Sequence, residues 1–138
     1  MNIMKKISLL PDEIINEILE YIPKQKLIFV NSTHYNLYHC LLKNYILVYE
    51  SYVRDMIRKD IFFVFKQIIR ENINTWIKNR QYRYKDMVFS NYIYFVLYYC
   101  IENNSERCRN ILMEELLKRN LCRNLHKKNI IKYIKWIN

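Results

Sequence analysis

A chain of 138 residues with no glycine is denied the cheapest route to tight hairpins and β-bulges. Those features call for residues at positive φ, which glycine reaches without steric cost. Asparagine is the next most tolerant residue, and it stands at the expected breaks: Asn79, Asn103, Asn104, Asn120 and Asn124. Helices ending at asparagine are the simplest solution, so the expected fold is all-α, a compact helical bundle of about six helices. Alanine is missing as well, while Ile, Asn, Lys and Tyr dominate. A/T-rich codons produce that bias, which points to an A/T-rich genome such as those of certain large DNA viruses. Hydrophobic residues at 51% exclude a disordered chain, and the length suits a single sizeable core.

The stretch Leu10 to Ile22 reads as one short amphipathic helix with a marked start. Pro11 suits the first helical position, where its missing N–H costs nothing. Asp12 and Glu13 follow where the positive end of the helix dipole favours carboxylates. Ile14, Ile15, Ile18, Leu19 and Ile22 recur at helical spacing, with Asn16, Glu17 and Glu20 on the other side. Pro23 discourages continuation.

A leucine-proline start, an acidic first turn and an Ile/Leu stripe resemble the opening of an F-box. Further on, Phe29-Val30-Asn31-Ser32-Thr33-His34-Tyr35-Asn36-Leu37 is similar to that family's second block. There a hydrophobic pair leads into a polar run, an aromatic and a leucine, with His34 or Tyr35 in place of the usual tryptophan. The resemblance covers residues 8–42, and its middle segment, Tyr21 to Val30, is shorter than the family's. It implies an N-terminal F-box-like three-helix segment (1–45) followed by a helical target-binding region (46–138). It also implies a partner, the S-phase-kinase-associated adaptor of a cullin-RING ubiquitin ligase, and a bridging role in which the chain catalyses nothing. Carried over by position, Leu10, Pro11, Ile14, Ile15, Ile18, Leu19, Ile22 and Leu27 are the candidates for that protein contact, as helix-in-groove anchors.

Beyond this segment, Lys24 to Val30 reads as a tight connection and a short helical turn. Asn31-Ser32-Thr33 offers capping side chains for a helix towards Leu42, with Tyr35, Leu37 and Tyr38 facing inward. Leu41 to Lys59 reads as continued helix with a break near Asn44. Ile61, Phe65, Ile68, Ile69, Ile73, Trp76 and Ile77 mark a long helix from Lys59 to Lys78. Asn79 to Tyr84 reads as a loop, and Lys85 to Glu102 as a helix buried on nearly every side. Its apolar run falls short of the ~20 residues a membrane span needs. Ser105 is the expected N-cap of a helix carrying Cys108, Ile111, Leu112 and Leu116 inward. A last helix is expected to carry Ile130, Ile131, Ile134 and Ile137.

The net charge of +10 makes nucleic acid the rival partner. Arg80, Arg83 and Lys85 alternate with Tyr82 and Tyr84, an arrangement able to hold phosphates and stack bases. Lys127, Lys128, Lys132 and Lys135 surround the final isoleucine stripe. The alternative reading is therefore a basic helical nucleic-acid-binding or nucleoprotein component. No phosphate-cradling glycine loop, G-x-S-x-G or HExxH occurs. Cys100, Cys108, Cys122 and His126 lack the paired spacing of structural zinc sites, so no metal, cofactor or catalytic set is assigned. With no secretory signal and no CxxC pair, the expected setting is intracellular, cytoplasm or nucleus, with the thiols reduced.

Overall fold

The computed structural model describes residues 6–7 and 9–121, and the backbone of 130–133. The chain divides into two compact units, Met1–Leu47 and Val48–Asn138.

In the first unit, α1 (Asp12–Tyr21), α2 (Lys24–Leu27) and α3 (Ser32–Tyr38) follow one another, and a 3-10 helix, His39–Asn44, ends the series. Proline starts two of them. Pro11 and Pro23 each occupy the N-cap with extended ψ, 147° and 134°, so that helix begins one residue after the proline. The Pro11 carbonyl accepts from the N–H groups of Ile14 and Ile15, which is what launches α1. Asp12 and Glu13 then fill the first turn. α3 starts at Asn31, whose Oδ1 accepts from the His34 N–H at 2.9 Å. Among the described residues of this unit, Leu27, Ile28, Tyr35 and Leu42 are buried, whereas Leu37, expected inward, is exposed.

The second unit is mostly helical but not all-α. It comprises α4 (Tyr49–Arg58), α5 (Phe62–Lys78), β1 (Arg80–Tyr84), β2 (Met87–Asn91), α6 (Tyr92–Glu102), α7 (Glu106–Lys118) and β3 (Ile130–Tyr133). The strands form an antiparallel sheet in the order β1-β2-β3, with Tyr82 opposite Phe89 and Tyr84 opposite Met87. Three expectations are thereby corrected. Arg80–Tyr84, expected within a loop, is a strand. The expected helix from Lys85 breaks at Asn91, whose side chain accepts from the Tyr94 N–H and caps α6. Ile130 and Ile131 lie on β3 rather than a final helix; Ile134 and Ile137 fall outside the described residues. A continuous apolar run reads alike as buried strand or buried helix, and pairing with β1 decides it here. The hairpin turns on Lys85-Asp86, with Lys85 at φ 53°, a position where glycine or asparagine would be the usual signal.

Helix ends obey the glycine-free logic. Asp60, Asn104 and Asn120 sit at positive φ, 50°, 52° and 55°. Each closes its helix with a paired hydrogen-bond signature, Ile61 N–H to Met56 O, Ser105 N–H to Cys100 O, and Leu121 N–H to Leu116 O. These are Schellman caps built on Asp and Asn. Asn79, by contrast, has φ −65° and leads directly into β1.

α6 packs against α4, α5, α7 and both hairpin strands, and eight of its eleven residues are buried. Phe95 occupies its centre, fully buried, with ring centroids of Tyr82, Tyr84, Phe89, Tyr92 and Tyr99 all within 4.7–5.6 Å. α5 contributes Val64, Phe65, Ile68, Ile69, Ile73 and Trp76, close to the expected stripe. α7 contributes Cys108, Leu112 and Leu116. Its cap differs from expectation. Ser105 is buried and its hydroxyl donates to the Ile57 carbonyl, so it does not cap α7. The Asp60 carboxylate does so instead, accepting from the N–H groups of Cys108 (2.9 Å) and Arg107 (3.3 Å). Among the described residues, no helix is long and apolar enough to cross a membrane.

Candidate functional site

α1 carries a full apolar stripe and yet buries none of its residues. Leu10 and Ile14 are 40% and 43% exposed, while Ile15, Ile18, Leu19 and Ile22 are half-buried. A soluble helix normally lays such a stripe against its own core. Beside it, Leu19, Glu20, Ile22, Leu27, His34 and Tyr38 line an open groove of about 540 Å³, which brings α1, α2 and α3 together. Leu27 is 4% exposed, so of the eight expected contact residues it is the one set into the interior. Pro11 is exposed at the start of the helix.

Charge is divided along the chain. From Asp12 to Ile22 there are four acidic residues and no basic one, within a chain of net +10. The polar side of α1 therefore repels polyanions, and its apolar side suits a hydrophobic groove with a neutral or basic rim.

The second unit holds the basic hairpin. Arg80, Arg83 and Lys85 are exposed, the first two on β1 and the third in its turn. The Tyr84 ring has the Arg54 guanidinium 5.7 Å from its centroid and the Lys85 ammonium at 5.4 Å, both within cation–π range. Arg54 was not legible as a partner of this strand, because α4 brings it there from thirty residues away in sequence. Tyr82 donates its hydroxyl to the Glu50 carboxylate at 3.0 Å. Lys132 lies on β3 rather than on a last helix; Lys127, Lys128 and Lys135 are outside the described residues.

No family model, no curated protein and no solved structure matches this chain.

Burial sets the chemistry of the titratable groups around these sites. It pushes Tyr82 up to about 12, reinforced by the hydrogen bond to Glu50. Burial likewise raises Tyr92 and Tyr49. A phenol whose folded pKa exceeds its ordinary 10.0 favours the fold fully below pH 10 and ceases to do so as pH rises towards 12. Alkaline titration followed by tyrosinate absorbance should accordingly show a delayed fraction that ionises together with unfolding. The same titration in denaturant should lose that delay. Simple, denaturant-independent titration near pH 10 would contradict the buried tyrosine cluster.

The described cysteines are free thiols, Cys40 exposed and Cys100 and Cys108 buried. Burial pushes Cys100 up to about 12, and burial with a hydrogen bond to Asp60 raises Cys108 as well. Neither is a poised nucleophile. In a Cys122→Ser background at pH 8, Cys40 alone should react with a thiol reagent until the protein is unfolded. Prompt labelling of two or more thiols in the native protein would refute this. Among the described residues no group of three His, Cys, Asp or Glu side chains is arranged to hold a metal ion.

Proposed function

We propose that the chain is a protein-interaction adaptor whose N-terminal helices act as an F-box-like segment. In this reading α1 docks on the S-phase-kinase-associated adaptor of a cullin-RING ubiquitin ligase, and residues beyond 47 recruit a target protein. The observation that carries it is the incompletely covered stripe of α1: Leu10 and Ile14 are exposed and Ile15, Ile18, Leu19 and Ile22 only half-buried, with none fully buried. Leaving such surface open costs roughly 25 cal/mol per Å² relative to covering it, which favours a bound partner. The groove beside Leu19, Ile22 and Tyr38 extends the same face and offers a place for a partner's side chain. Free thiols fit action in a reducing compartment, cytoplasm or nucleus.

A pull-down with the purified adaptor subunit tests this. The wild-type chain should bind, and Leu10→Ala with Ile14→Ala should weaken binding by about 10- to 100-fold, the scale of removing two partly buried anchors. Both side chains are exposed, so circular dichroism and melting should remain close to wild type. Failure of the wild-type chain to bind, or undiminished binding by the double variant, would sink the reading.

A further inference from the structure

Where α4, the end of α5 and β1 meet within the second unit, a pocket of about 440 Å³ opens, in the range of small-ligand sites (~300–1,000 Å³). Its walls are largely aromatic: Tyr49, Trp76, Tyr82 and Tyr92. The Tyr92 ring stands at 63° to Trp76 and 88° to Tyr82, with centroids 4.8 and 4.6 Å away. Asn79 and Gln81 bring amides to the rim, and Glu50 and Arg80 bring one charge of each sign. Tyr92 is 5% exposed, and among the described residues its buried hydroxyl has no hydrogen-bond partner. An orphaned buried hydroxyl is costly, and one on a pocket wall calls for a ligand with a polar edge.

We propose that this pocket takes an unstacked base of a single-stranded nucleic acid. The proposal goes beyond the adaptor reading and uses none of the residues of its α1 contact. Aromatic side chains stack any base, and amide and carboxylate groups meet the donors and acceptors along its edge. Arg80 at the rim, with Arg54 and Lys85 gathered on the neighbouring Tyr84 ring, supplies cations for the phosphodiester backbone. Arg80 at the rim offsets Glu50, the carboxylate lining the pocket, in a chain of net +10, which disfavours the other occupant such a cage could hold, an alkylated ammonium group.

The probe is a 5′-fluorescein single-stranded DNA of roughly ten nucleotides, a length suited to one such surface. Fluorescence anisotropy should report binding at about 0.15 M salt, with affinity falling linearly against log salt. Tyr49→Ala should weaken it by about 5- to 100-fold, the scale of one lost stacking partner. Tyr49→Phe should restore it. Arg80→Ala should weaken binding and lower the salt slope by about one. In a Trp136→Phe background, the emission of Trp76 should change on adding oligonucleotide. A duplex of the same sequence should compete poorly, since its bases are already stacked. Tyr49 and Arg80 are both exposed, so these truncations spare the core. Equal affinity for single strand and duplex would overturn the proposal by reducing the surface to a charge patch. So would wild-type affinity in Tyr49→Ala, or no binding at that salt. Saturation of Trp76 emission by a trimethyl-lysine peptide, with no response to DNA, would overturn it in favour of a cation site.

Discussion

Phe95→Ala is expected to lower the stability of the second unit by about 3–5 kcal/mol, the cost of deleting a fully buried phenylalanine and leaving a cavity. The ring is 0% exposed and sits among five other aromatic rings on α6 and the two hairpin strands. Tyr82 and Tyr84 are held against the helix through it, so the variant should also loosen β1 and with it the pocket. Such a loss is a large share of the 5–15 kcal/mol that usually separates folded from unfolded states. Urea denaturation followed by circular dichroism measures it. Phe95→Leu, which keeps most of the volume, should cost less than half as much. A loss under about 1 kcal/mol for the alanine variant would mean that the aromatic cluster is not what joins hairpin to helix.

Asp60→Ala is expected to cost about 2–3 kcal/mol, because one side chain performs two tasks. Its backbone, at φ 50°, closes α4 through the Asp60 N–H to Ile57 O and Ile61 N–H to Met56 O bonds. Alanine at a left-handed position costs roughly 1–2 kcal/mol. Its carboxylate caps α7 across 48 residues of sequence by accepting from Cys108 and Arg107. A lost cap costs about 0.5–2 kcal/mol, and the charge also favours the positive end of the helix. Asp60→Gly separates the terms, since glycine tolerates the backbone but removes the cap. Asn, which keeps both the left-handed tolerance and an acceptor oxygen, should be the mildest. Thermal melts ranking Ala below Gly below Asn would bear this out; equal melting of Ala and wild type would remove the capping role.

The opposed charges of α1 and of the hairpin explain how the two proposed partners coexist in one chain. α1 is acidic and apolar, suited to protein, while the hairpin is basic and aromatic, suited to phosphate and base. Each proposal can therefore fail alone. Losing adaptor binding in the Leu10 and Ile14 variants should leave DNA affinity unaltered, and Arg80→Ala should leave the pull-down unaltered.

Much of the local architecture was legible because it rests on neighbours in sequence. The apolar stripe of α1, the inward residues of α5 and α7, and the helix stops at Asn104 and Asn120 follow from period and from steric tolerance of positive φ. The incomplete burial of the α1 stripe was not legible, since periodicity reports which residues share a face and says nothing of what covers it. Leu37 shows the converse error: it is expected inward with Tyr35 and Tyr38, yet on this helix it is open to solvent.

What the amino-acid order determined alone is the set of short-range choices: where helices begin after Pro11, Pro23 and Asn31, and where backbone without glycine can reverse. What tertiary structure decided is every feature that joins distant segments. Met87–Asn91 became strand because Arg80–Tyr84 was there to pair with it, although its turn, Lys85-Asp86, carries none of the usual hairpin chemistry. α7 took its cap from Asp60 rather than the adjacent Ser105, and the aromatic pocket drew Tyr49, Trp76 and Tyr92 from three separate helices. The physical reason is the same in each case. Hydrogen-bond partners and packed rings are selected by distance in space, and a chain of this length folds many sequence separations to within a few ångströms.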